Sequence, residues 1–258
     1  MIRAALLALL LAGAPTLAAD PAPDCATRFA TLGDAINQED PYFSSCGLIR
    51  PGEPSALCGV TSLANLLNSL PESASGRLKG SAAAEQIAKE GQAYVDRKSS
   101  RQNPVTLRGM FPFQLGDLTR TLVKKRGLPY RVEVRDPLVS VSGIKPSDLR
   151  VDHGAVWAIS FARGHGPDHE SGHFVWILDY DPEKRVVTFS DPLNPGIPKQ
   201  GAVSYKVPFT PGSDEFRIDL LPGTDMKELV GEEDGHFVVD GVIRLRAKPP
   251  AAGAGPPR

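Results

Sequence analysis

Three side chains of this sequence are of the types, and fall in the order, that thiol chemistry requires: Cys58, His173 and Asp191. A cysteine attacks a carbonyl only as its thiolate. An imidazole, whose pKa lies near neutrality, can take the thiol proton and later return it to a leaving amine, and a carboxylate can hold the ring in the useful tautomer. Cys58 follows a Pro- and Gly-containing loop (Arg50 to Leu57, RPGEPSAL) and heads a run in which Val60, Leu63, Ala64, Leu67 and Leu70 recur at helical spacing until Pro71 stops it. A sulfur at the head of a helix sits near unsatisfied backbone N–H groups and the positive end of the helix dipole, which favours the thiolate. Gly59 leaves room for a substrate. Taken alone, a small buried cysteine packed under a helix is the commoner fate of this residue type.

The elements that must bring the other two groups to Cys58 can be read next. Gly172-His173 opens the apolar run Phe174 to Leu178, a turn follows at Asp179 to Lys184, and the strand Val186 to Phe189 leads to Asp191-Pro192, eighteen positions after His173. A hairpin of that length brings its ends together, so the imidazole at one strand entry can meet the carboxylate at the next strand exit. Further helices are expected at Gln86 to Val95 and at Gln114 to Arg126, the latter closed by Gly127. Strands are expected at Tyr130 to Val134, Ala155 to Ala162 and Phe216 to Leu221, with a hairpin from His236 to Leu245 turning at Asp240-Gly241. Helices first and antiparallel-looking strands after them predict an α+β architecture.

In that order, CGVTSLANLL around Cys58, QLGDLTRTLVKKRGLPYRV, KPSDLRVDHGAVWAISF and SGHFVWILDYDPEKRVVTFSDP resemble the papain-like cysteine peptidases related to the double-glycine leader peptidases of bacterial bacteriocin export. The resemblance covers roughly Pro54 to Asn194. It implies a papain-like fold, N-terminal helices packed on a small antiparallel sheet, with Cys58 as nucleophile, His173 as base and acid, and Asp191 orienting the ring. Two departures stand out. The family's oxyanion Gln, several residues before the Cys, is replaced by Gly52 and Glu53, and an ionised Glu cannot donate a hydrogen bond. Gln38 or Asn37, from the preceding segment, would have to supply that donor. Leader peptidases also work in the cytosol fused to a transporter, so leader processing is not expected of this chain.

Composition bounds the remaining possibilities. The 258 residues carry 29 basic and 30 acidic side chains, a net charge of −1, which removes the electrostatic case for a nucleic-acid partner. Met1 to Ala19 has the layout of a secretory signal peptide, with Arg3, the apolar run AALLALLLAGA and small residues at a cleavage point after Ala18 or Ala19. A periplasmic or secreted location, without stable membrane insertion, is therefore expected. Residues 20–246 read as one catalytic domain, acting as a monomer on a peptide or protein substrate, and residues 247–258 (AKPPAAGAGPPR) as a disordered tail. Loops at 73–80 and 99–112 would line the cleft.

No cofactor or metal is expected. Although His153, His165, His169 and His173 cluster in sequence, Gly164, Gly166 and Pro167 break the helix that would align the last three. His236 reads as a solvated strand residue, and Trp157 and Trp176 as core. Cys25 and Cys46, 21 residues apart, are expected to pair in an oxidising compartment, leaving Cys58 free; a Cys46–Cys58 bridge, which would silence the site, stays open. The expected activity is amide hydrolysis through Cys58. Two alternatives remain. A transglutaminase-like acyl transferase shares the Cys, His, Asp order, though 115 residues between Cys58 and His173 is long for it. A catalytically inactive binding module is suggested by the missing Gln and the extra strands after residue 200.

Overall fold

The computed structural model describes residues 34–39, 57–70, 85–87, 89–90, 93, 110–136, 144–161, 172–206, 215–222, 224 and 236–248. Helix α1 (Cys58–Asn68) and helix α2 (Pro112–Lys125) precede strand β1 (Tyr130–Arg135). A short 3-10 turn (Pro146–Leu149) leads into β2 (Ala155–Phe161), β3 (Gly172–Asp181), β4 (Val186–Asp191), β5 (Asn194–Lys206), β6 (Glu215–Leu220) and β7 (His236–Ala247). The segment 1–19, Cys25, Cys46, the loop 73–80, residues 99–109, His165, His169 and residues 249–258 lie outside the described residues.

All strand pairings are antiparallel, in the order β1-β7-β2-β3-β4-β5-β6, and β6 pairs back onto β7. Six strands, β2 to β7, thus close into a barrel, with β1 added outside the ring on β7. This overturns the expected α+β papain-like fold, in which helices pack on a small open sheet. Two features hidden from sequence patterning cause the difference. Strand β5 carries Pro195, Gly196 and Pro198, residue types disfavoured inside a strand, yet among the described residues its first half pairs only with β4, so a missing N–H on the other side costs no ladder bond. The expected turn at Asp240-Gly241 is not made either. Strand β7 runs straight through it, because Ala158 pairs with Gly241 and Ile159 with Val239, leaving Asp240 as a bulge.

That bulge also sets which side chains face inward. A bulge shifts the two-residue alternation by one, so Phe237 and Val239 before it and Val242 after it all fill the barrel interior, while Ile243 and Leu245 point to the outer wall. The interior is apolar, built on Trp157, Val175, Ile177, Phe189, Phe216 and Ile218. On the outer wall, Val156, Phe174, Trp176 and Leu178 are covered by Leu63, Leu66 and Leu67 of α1 and by Leu115, Leu118 and Leu122 of α2. Strand β3 is buried on both faces, which is why Phe174 to Leu178 reads as an unbroken apolar run.

Close approach of α2 to the wall depends on two glycines. A Cβ on Gly116 would fall 2.3 Å from Val134 Cγ2, and one on Gly241 would fall 2.6 Å from Pro112. The C-terminus of α2 closes on Gly127 at φ 63, a conformation in which glycine avoids the usual Cβ penalty. Among the described residues, no helix is long and apolar enough to cross a membrane.

Candidate active site at the barrel end

His173 enters β3 and Asp191 leaves β4, so the antiparallel pairing puts both at one end of the barrel. Trp176 pairs with Ser190; extending that register by one sets Asp191 opposite Val175, two residues along from His173 and on the same face. Diagonal neighbours of this kind are within reach of each other's side chains. His173 Nε2 and Asp191 Oδ1 are 3.0 Å apart, and both residues are buried. The Asp191 carboxylate also accepts the Leu193 N–H at 2.9 Å, which fixes its orientation.

Cys58 is the first residue of α1, as the loop-to-helix pattern predicts, and it is a free, buried thiol. The His173 ring and the backbone N–H groups of Phe174 and Gly59 lie close enough to its sulfur to stabilise the thiolate. With Nε2 of His173 engaged by Asp191, Nδ1 is the ring nitrogen left for the thiol. Burial pushes the Cys58 thiol up, but His173 and the two N–H groups together outweigh it and hold the thiol below its ordinary value. For His173, burial pushes the imidazole down, while the hydrogen bond to Asp191, then the bond and charge of Cys58, lift it to about 9. The two shifts favour one microstate, a thiolate facing an imidazolium that donates to Asp191. A ring poised in this way can deliver a proton to a departing group.

Several positioning residues escape the sequence reading. Ser62 Oγ donates to Phe174 O at 3.0 Å, seating α1 on β3 one turn beyond Cys58. Asn65 Oδ1 accepts the Ile36 N–H at 2.8 Å and its Nδ2 donates to Ile36 O at 3.1 Å. The same segment, residues 34–39, crosses to the Asp191 loop, where the Gln38 N–H donates to Pro192 O at 2.8 Å and Asn37 Nδ2 to Leu193 O at 2.9 Å. It is a strap tying the nucleophile's helix to the carboxylate's loop. A signal for these two anchors was present: Ser62 and Asn65 fall at i+4 and i+7 from Cys58, polar side chains on a helix that is buried along nearly its whole length.

The strap also separates the two candidate oxyanion donors. The Asn37 amide is engaged at both ends, donating to Leu193 O and accepting the Glu39 N–H at 2.8 Å. Gln38 is buried and anchored through its backbone beside the Asp191 loop. Of the remaining histidines, His153 packs on Tyr130 with ring centroids 5.2 Å apart, and His236 begins β7 opposite Asp219. Trp157 and Trp176 are core residues, the first inside the barrel and the second under α1. No family model matches this chain, and no curated protein is similar to it.

Proposed function

We propose that this chain is an exported thiol hydrolase that cleaves an amide bond in a peptide or protein. The observation that carries the reading is the contiguous buried array from the Cys58 thiol through His173 to Asp191, with the strap tying α1 to the Asp191 loop. In the first step the Cys58 thiolate attacks the carbonyl carbon and the carbonyl oxygen becomes an oxyanion. The backbone N–H of Cys58, in the first helical turn where no intrahelical acceptor exists, and the Gln38 side-chain amide are the proposed donors to that oxygen. Collapse breaks the C–N bond, the amine leaves with the His173 proton, and a thioester remains. His173, now neutral, takes a proton from water as the water attacks the thioester. The acid departs and the thiolate–imidazolium pair is restored. Export rests on the apolar segment at residues 1–19.

The decisive experiment compares the wild-type chain with Cys58→Ala and His173→Ala on quenched fluorescent peptides, with and without an added primary amine. Turnover lost in both variants supports hydrolysis. Turnover that persists in Cys58→Ala ends the proposal, and none in the wild type, with iodoacetamide ignoring Cys58, favours a binding module. Amide product exceeding acid product when amine is present would assign acyl transfer instead.

A further inference from the structure

Phe111 and Phe113 are large apolar side chains left in water, 55% and 39% exposed, where most residues of their kind are buried. Their rings are stacked nearly parallel, at 8° with centroids 5.8 Å apart. They are also held firmly. The Phe111 N–H donates to Gln114 Oε1 at 2.9 Å, the Phe113 N–H donates to Asp136 Oδ2 at 3.1 Å, and Pro112 between them is buried against Gly241. A pre-ordered pair of exposed rings loses little freedom when something packs on it.

Their location connects them to the nucleophile. Phe174, Ala158 and Gly241 are register partners on three adjacent strands, β3, β2 and β7. The N–H of the first helps to stabilise the Cys58 thiolate, and Pro112 rests on the last. Two strand spacings amount to about 10 Å. Leu115, one turn into α2, closes the gap: its Cδ2 would lie 3.4 Å from a Cβ on Gly59. The heads of α1 and α2 thus share one end of the outer wall, and the head of α2, which carries the aromatic pair, stands about three extended peptide residues from the head of α1.

We infer that Phe111 and Phe113 form an apolar subsite that selects peptide substrates carrying an aromatic or large aliphatic side chain about three residues from the scissile amide. This rests on the hydrolase reading above. Burying such a side chain against the rings discriminates against a charged one by about tenfold to a hundredfold in kcat/KM. The two rings are specificity residues and take no part in bond-making.

The test uses quenched peptides of Gly, Ala and Ser in which a single Phe is moved along the chain, with Asp in its place as the comparison, and cleavage points mapped by mass spectrometry. Cleavage is expected two to four residues from the Phe, at least tenfold faster than in the Asp series. In Phe111→Ser/Phe113→Ser that preference falls below about threefold, while the rate at which iodoacetamide alkylates Cys58 stays at the wild-type value. If the double variant does not fold, Phe111→Ser, at the more exposed position, decides by the same criterion. Cleavage with no Phe preference, or a preference that survives in a variant alkylated normally, overturns the subsite and leaves the hydrolase intact. Absence of all cleavage defeats the hydrolase reading itself. Sedimentation showing a dimer that Phe111→Ser dissolves assigns the rings to a second copy and also overturns the subsite.

Discussion

Arg244 and His173 are both almost wholly withdrawn from water against carboxylates, yet their surroundings are built to opposite effect. Arg244, on β7, donates through Nε and Nη2 to Glu133 Oε2 at 2.8 and 2.6 Å, through Nη1 to Ser147 O, and lies 3.6 Å from Asp148 Oδ1. Arg135 and Arg246 complete the cluster on Asp148 and Glu133. A guanidinium does not lose its proton, and nearly every acceptor here is already taken, so the array can only hold β1, β7 and the 3-10 turn together. His173 faces one carboxylate and one thiol, and its proton can move. The lesson is that burial of charge alone does not mark a site. What marks it is a buried proton with two places to go.

The sharpest way to break that contrast is His173→Ala. In the folded fraction amide hydrolysis is expected to fall about 10⁴-fold, some 5.5 kcal/mol of barrier, and the melting temperature to drop as well because Asp191 is left buried without its partner. A melting temperature that falls while turnover persists would place His173 with the structural cluster. Arg244→Ala should spare the site, lowering stability by about 3 kcal/mol because Glu133 and Asp148 lose their shared cation, while Cys58 keeps its alkylation rate in the folded fraction. Urea melts monitored by tryptophan fluorescence, together with iodoacetamide kinetics, read both quantities.

Gly116→Ala is a smaller perturbation of the same scaffold. The added methyl meets Val134 at 2.3 Å, so α2 must shift on the wall. A loss of about 1–3 kcal/mol is expected in the same melts. The least costly test is pH. His173 keeps its proton up to about 9 and loses it above, so amide hydrolysis, which needs that proton for the leaving amine, should fall about tenfold per pH unit beyond 9. Alkylation of Cys58 needs only the thiolate and should not fall on that side. Both rates should fall on acidification, as the thiolate is lost through its depressed value. Parallel alkaline limbs for the two reactions would remove His173 from the role of acid.

Much of the candidate site was legible because it depends on local patterns. The helix headed by Cys58 follows from apolar spacing and Pro71, and the approach of His173 to Asp191 follows from hairpin length. The strap was not legible, since the bonds of residues 34–39 join partners 29 and 156 positions away. Nor was the barrel. Its closing pairing, Ile218 with Phe237, joins strands that each look complete as members of an open sheet, and the prolines of β5 argue against a strand where one exists. Phe111 and Phe113 fell at the margin of an expected loop, and their exposure became visible only once α2 was docked.

By itself, then, the amino-acid sequence determined which side chains could do chemistry, that one cysteine heads a helix, and that His173 and Asp191 are carried by the two ends of a β3–β4 hairpin. These depend on periodicity and turn residues, interactions among near neighbours. Tertiary structure alone decided that the strands close into a barrel and that α1 lies across the outer wall with its thiol against the His173 ring. It also left two stacked aromatic rings exposed at the head of α2. The physical reason is that closure, docking and burial are set by contacts between distant segments, and a single bulge at Asp240 reverses the face of every residue beyond it.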